Sequence, residues 1–352
     1  MTYDLTSLMP VMPEIFLLSA ACVVLVIDLF LSERTRLLTY GLSLATLVGT
    51  IAITVWSGGG DAQLLFADSY IRDPMSDLLK VSLLVVTGFA MVYAKDYLVQ
   101  QNIYRGEYYT LALFAALGMM IMASAYSFLT VYLGLELLAL SMYALVAFDR
   151  DSPKGSEAAM KYFVLGAIAS GMLLYGMSML YGATGALTFN QVASALQTGS
   201  VDETLLVFGL VFIVIGVAFK FGAVPFHMWV PDVYHGAPTA VTLLLGSAPK
   251  IAAFALAIRL LADGMQTLSP HWQDMLIILA VISMGVGNIV AIAQENLKRM
   301  LAYSTISHVG FIFLGILAAT EKGYGAALFY TIVYALTAAG GFGVLAMLSR
   351  RG

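Results

Sequence analysis

Long apolar blocks separated by short polar connections run the whole length of this chain, and they leave few folds open to it. A hydrocarbon core about 30 Å thick is crossed by about 20 apolar helical residues at 1.5 Å each. Windows of that kind fall at 8–31, 37–56, 76–97, 108–124, 127–148, 157–181, 204–233, 239–261, 272–293, 297–318 and 323–348, which makes eleven spans. Inside a bilayer every backbone N–H and C=O must be satisfied within the protein, so such blocks imply helices. No segment reads as a clear strand. The expected fold is all-α and polytopic. With 61% hydrophobic and only 11% charged residues, the chain is far from a soluble domain, where charged residues approach about a quarter. The first block lacks a basic leader and opens with Pro10, Pro13 and Glu14, so it is a span and not a cleavable signal.

Composition also excludes several chemistries. One cysteine, Cys22, allows neither an internal disulfide nor a thiolate-held iron–sulfur cluster. Four scattered histidines leave haem ligation from separate helices formally open. There is no metal-ligand spacing, no phosphate-binding glycine loop after a strand, and no basic patch that would bind nucleic acid. Any redox centre is therefore expected on another chain.

Loop cations set an orientation. With the N-terminus outside, the cytoplasmic side holds Arg34, Arg36, Lys95, Arg105, Arg150, Lys154, Lys298, Arg299, Arg350 and Arg351, and the outer side only Arg72, Arg259 and Lys322. Two outer connections have length enough for structure: the Gly-rich 57–74, and 188–196, which reads as a short amphipathic helix. Gly166 with Ser170 and Gly209 with Gly216 read as close helix contacts. Asp28 and Lys80, near span ends, read as interfacial.

The block at 204–233 does not fit a single span. As one straight helix it would be roughly 45 Å long, well beyond the hydrocarbon core. Pro225 and Pro231 remove backbone donors, so a break is expected near 220–225. Irregular backbone at membrane depth survives only beside protein or water, and an ionisable residue there points to function.

Several such residues lie within blocks: Glu136 on the fifth, Lys161 on the sixth, Lys220 on the seventh, Lys250 on the eighth, and His308 and Lys298 on the tenth, with His227 seven residues beyond Lys220. A lysine held out of water loses hydration that stabilises its ammonium, and a nearby carboxylate compensates. Moving Glu136 relative to Lys220 would therefore change the proton affinity of the lysine, which is the physical basis of a pump step. Each residue also has a plainer reading. Glu136 suits a neutral interhelical hydrogen bond, Lys220 a static ion pair, and Lys250 a polar kink after Pro249. Lys161 suits an i,i+4 pair with Glu157, His227 and His308 satisfied helix contacts, and Lys298 a snorkelling cation. Taken together, a row of ionisable groups on five spans is what a proton path requires.

Four runs, GLELLALSMYALVAF (134–148), SEAAMKYFVLGAIASGMLLYGMSMLYGATG (156–185), FKFGAVPFHMWVPDVYHGAPTAVTLLLGSAPKIAAF (219–254) and QENLKRMLAYSTISHVGFIFLG (294–315), closely resemble the subunit N family of the proton-pumping NADH:quinone oxidoreductase, respiratory complex I. The likeness covers essentially the whole chain. It implies an antiporter-like fold of inverted five-helix repeats, each with a broken helix. The corresponding division is an N-terminal three-helix region (1–107), a first repeat (108–262) and an incomplete second repeat (263–352). By position, Glu136 resembles the family's fifth-helix glutamate, Lys161 its connecting lysine, Lys220 the lysine of the broken helix and Lys250 the eighth-helix lysine. His308 and Lys298 match polar positions of the second repeat.

The resemblance further implies a bacterial inner-membrane location with the N-terminus periplasmic and the C-terminus of this chain cytoplasmic. This chain would bind no cofactor, with NADH, FMN, iron–sulfur clusters and quinone used on other subunits. The implied partners are the antiporter-like subunit M, small subunits such as K and J, and membrane lipid. Family members continue for about three more helices, including a second broken helix, so the chain is expected to be cut short or completed by a neighbour. Two alternatives stay open: a subunit of a multisubunit cation/proton antiporter, and a transport-inactive scaffold.

Overall fold

The computed structural model describes residues 5–32, 35–198 and 201–349. Arg34, Arg350 and Arg351, used above to set orientation, lie outside the described residues. Eleven helical segments among the described residues are long and apolar enough to cross a membrane, and the chain is a multi-pass membrane protein.

The chain enters through a short 3-10 turn into α1 (Met12–Asp28), followed by α2 (Leu37–Ser57), α3 (Pro74–Gln100), α4 (Glu107–Ser124), α5 (Phe128–Val146) and α6 (Pro153–Thr184). A short α7 (Phe189–Thr198) precedes α8 (Glu203–Phe221) and α9 (Trp229–Gly236). Next come α10 (Thr239–Leu245) and α11 (Ala248–Ala257), which runs into a π-helical turn (Ile258–Gly264). The described part closes with α12 (Ser269–Ile292), α13 (Leu297–Leu317) and α14 (Glu321–Leu348).

The α10–α11 stretch is the axis of the molecule. Its apolar window is 94% buried, against 28% for the α12 window, so it is wrapped by protein while α12 turns much of its surface outward. Helices α3, α4, α8 and α14 pack around it. Without a hydrophobic drive between helices in lipid, such packing depends on close approach at small residues. Gly118 of α4 lies against α5 so closely that a Cβ there would meet the Gly134 carbonyl oxygen at 2.7 Å and the Leu138 nitrogen at 2.6 Å. That contact sets α5, and Glu136 on it, against the bundle. Gly209 of α8 meets Gly176 of α6 in a similar way.

Four expectations are corrected. The 57–74 connection contains a two-stranded antiparallel hairpin, Gln63–Leu65 with Tyr70–Arg72, whose three-residue strands are too short for alternation to reveal. Lys80 is not interfacial: it is fully buried, 2.7 Å from Glu14 and 2.9 Å from the Tyr70 hydroxyl. Arg259, counted above as a loop cation, is 1% exposed and ion-paired. The eighth span is interrupted at Gly246–Ser247, between α10 and α11. The helix foreseen at 188–196 is α7, with Phe189 and Val192 turned into the core.

Candidate functional site

The expected break opens directly after Lys220. Helix α8 ends at Phe221, and Gly222 adopts φ +79°, the left-handed geometry that commonly stops a helix. Breaking a helix at this depth exposes carbonyls and amides that must find partners. The Ala218 carbonyl accepts from Gly222 N at 2.9 Å and from Ala223 N at 2.9 Å. The Phe219 carbonyl accepts from Trp229 Nε1 at 3.1 Å, and Val224 N donates to Ser283 Oγ of α12 at 2.9 Å. The Phe221 carbonyl accepts from Lys250 Nζ at 2.6 Å. The last three of these bonds tie the irregular segment to α9, α12 and α11.

This geometry gathers charge at the carbonyl end of α8. The C-terminus of a helix carries partial negative charge, which favours cations close by. Lys220 occupies the last turn of α8, and Lys250 reaches the same end from the first turn of α11. The Lys250 ammonium also sits 5.7 Å from the centroid of the Trp229 ring, within cation–π range. Trp229 in turn stacks on Tyr162 of α6 at 4.8 Å and 19°, so one indole links the break to the helix that carries Lys161.

The Lys220 side chain makes no hydrogen bond and no ion pair among the described residues. Glu136 is close enough for its charge to act on it, yet the two form no ion pair within 4 Å. Oε1 of Glu136 is buried without a hydrogen-bond partner. Helix α6 packs against both α5, which carries Glu136, and α8, which carries Lys220.

Beyond the break, α9 is pinned at both ends. Asp232, in its first turn, accepts from Lys161 at 2.8 Å and from Arg299 of α13 at 2.8 Å. Lys161 is 43% exposed and also contacts Glu157 at 2.8 Å, the expected i,i+4 pair. At the other end of α9, Lys298 donates to the carbonyls of Ala237 at 2.6 Å and His235 at 3.2 Å. It does not snorkel, since its ammonium serves carbonyls that the end of α9 leaves free. Lys154, Glu157, Lys161, Asp232, His235 and Arg299 line a cavity of about 200 Å³.

Of the two expected histidines, one lies in the break and the other on α13. His227 is half-buried within the break, its ring 6.4 Å from that of Tyr303. His308 Nδ1 is 2.6 Å from the Tyr330 hydroxyl on α14, and its neighbour Tyr334 donates to Thr305 Oγ1 at 2.7 Å. The structure therefore brings Lys220 and Lys250 to one helix end and joins Lys161 to it through Tyr162 and Trp229. Lys298 anchors α9, and His308 stands on the next helix pair.

Three participants were missed from sequence: Asp232, Arg299 as its partner, and Trp229. A tryptophan between two prolines in a broken span was the available signal for the last. Asp232 carried the signal of any ionisable residue in an apolar block, but its partners, 71 and 67 residues away, were not legible.

Comparison with known proteins bears directly on this arrangement. Residues 125–352 match the family described as "NADH:quinone oxidoreductase/Mrp antiporter, TM". The chain is 60% identical to NADH-quinone oxidoreductase subunit N of Thioalkalivibrio sulfidiphilus, over all of this chain and 74% of that relative. It is 57% identical to subunit N of Thiobacillus denitrificans, over all of this chain and 73% of the relative. Among solved structures, respiratory complex I from Thermus thermophilus contains a chain superposing with a TM-score of 0.79 at 30% identity, covering 95% of this chain and 70% of its own.

Proposed function

We propose, on the premise that this chain belongs to the NADH-quinone oxidoreductase subunit N family, that its row of lysines within the spans moves protons across the membrane when quinone is reduced elsewhere in the enzyme. The chain is a membrane-arm subunit of an enzyme complex and works with other complex I subunits. The reactions of NADH, FMN, iron–sulfur clusters and quinone belong to those other subunits, among them the antiporter-like subunit M and small subunits such as K and J. The membrane is the bacterial inner membrane, with the Asp232 end of the bundle cytoplasmic and the hairpin end periplasmic. The N-terminal helices (1–107) flank a first repeat (108–262), and 263–352 belongs to a second.

The observation that carries this reading is the isolation of Lys220. A half-buried ammonium within the field of a carboxylate, yet tied to no fixed partner, is poised to exchange its proton when the carboxylate moves. Glu136 supplies that field, Lys250 is the next acceptor across the Phe221 carbonyl, and Lys161 with Asp232 offers a reservoir open to the cavity at the cytoplasmic end. Lys298, His227 and His308 are further relay positions.

The test is Glu136→Gln in the assembled enzyme. Its NADH-driven proton translocation is expected to fall by about tenfold or more, the effect of a barrier change near 1.4 kcal/mol. An assembled Glu136→Gln enzyme that pumps at the unmodified rate would overturn the reading.

A further inference from the structure

The seam between α1 and the α4–α5 pair holds a cavity of about 260 Å³ that none of the steps above uses. It lies at the end of the molecule where α1 and α5 finish and α4 begins. Arg105, Glu107 and Arg150 line it at the helix ends. Leu25, Leu111, Phe114 and Ala144 line it up to two turns deeper, and the step from Glu107 to Phe114 is roughly 10 Å of helix. The cavity is therefore layered, charged at the helix ends and apolar within the span. Leu25 and Ala144 are exposed, so the apolar layer opens sideways, where the bilayer lies.

The charged layer has nothing of its own to bind. Among the described residues, the side chains of Arg105, Glu107 and Arg150 have no hydrogen-bond or ion-pair partner. Arginines at span ends commonly snorkel to the headgroup layer, but here two of them share one cavity with a carboxylate and an apolar floor. Guanidinium groups match phosphate oxygens, to which each can donate two parallel hydrogen bonds. Glu107 would repel a purely anionic headgroup and accept from an ammonium. Asp149 and Asp151 flank Arg150 in the chain, so the region is not basic as a whole, which favours a headgroup carrying both charges. A primary ammonium has N–H donors for a carboxylate, and a trimethylated one has none.

We propose that this cavity is a binding site for phosphatidylethanolamine. Arg105 and Arg150 hold its phosphate, Glu107 its ammonium, and the apolar layer its glycerol and upper acyl carbons. Pockets with basic residues between membrane helices are a general means of recognising lipid headgroups. The lipid fills the seam between α1 and the α4–α5 pair and takes no part in the proton steps.

The test uses the whole enzyme in phosphatidylcholine proteoliposomes with a trace of phosphatidylethanolamine carrying a photoactivatable group on one acyl chain. Labelled peptides are mapped by mass spectrometry. Labelling is expected on the peptides that contain Leu25, Phe114 and Ala144. Added phosphatidylethanolamine is expected to displace it, whereas equal amounts of phosphatidylglycerol or soluble phosphoethanolamine are not. Arg105→Gln combined with Arg150→Gln is expected to cut labelling by about tenfold or more, the consequence of losing charge-assisted hydrogen bonds. Glu107→Gln is expected to bring labelling down to that of a phosphatidylcholine probe. The competition needs no substitution, so it decides even where a variant fails to assemble. No labelling of these peptides, displacement by phosphatidylglycerol as readily as by phosphatidylethanolamine, or undiminished labelling of the double variant would each overturn the proposal.

Discussion

The Lys250 ammonium is held 2.6 Å from the Phe221 carbonyl oxygen, so the cation of one interrupted helix closes the end of another. The bond joins two roles, one in the fold and one in proton exchange, and substitutions can separate them. Arginine keeps a donor for the carbonyl but does not deprotonate. Lys250→Arg is therefore expected to assemble normally and to lose about tenfold or more of its proton translocation. Lys250→Met leaves the buried carbonyl unpartnered and is expected to lose about 1–3 kcal/mol of stability as well. Native gels and pumping assays on the two variants separate the effects.

Gly222 is the residue that allows the break. With φ +79° and a position where a Cβ would meet Val230 Cγ2 at 2.6 Å, it excludes any side chain on two counts. Gly222→Ala is expected to destabilise the subunit by about 1–3 kcal/mol. A thermal shift of the purified enzyme measures this, and the same substitution at Gly171, where the added Cβ meets nothing within 4 Å, serves as the control.

Asp232 couples α6 to α13 through Lys161 and Arg299. These pairs are partly exposed, so solvent screens them and they add little to stability. Asp232→Asn is accordingly expected to leave the melting temperature almost unchanged while slowing proton uptake, because it releases both cations from the cavity. Proton-uptake rates measured on the assembled variant check this, and a large fall in melting temperature would assign Asp232 to the fold instead.

Asp73 links pH to stability at the opposite end. Burial pushes its carboxyl up, but hydrogen bonds and charge from Arg259, with donors from Ser76, bring it below the usual carboxylate range. A group whose folded pKa is depressed contributes stability that is present above the unfolded value, about 3.9, and is lost as pH falls through the folded one. Melting temperatures of the purified enzyme are expected to drop on acidification below about pH 4. Asp73→Asn removes that contribution, so its profile over the same range should be flatter and lower on the neutral side.

Much of this arrangement was legible in the residues themselves. The length of the 204–233 block and its prolines located the break because the bilayer thickness is a hard limit, and ionisable residues stand out in apolar sequence. Pairings across the bundle were not legible. Arg259 looked like a loop cation because its partner Asp73 lies 186 residues away, and Lys80 looked interfacial because nothing local announces Glu14. The interruption at Gly246–Ser247 was hidden by the apolar residues on either side, which satisfy the length rule whether or not the helix is continuous.

The central claim is that Lys220, half-buried and without a fixed side-chain partner, carries protons. It is tested most directly by the number of protons translocated per NADH oxidised in proteoliposomes of an assembled Lys220→Ala enzyme. The account predicts that this ratio falls below that of the unmodified enzyme under the same conditions. An unchanged ratio at an unchanged rate of quinone reduction would contradict it.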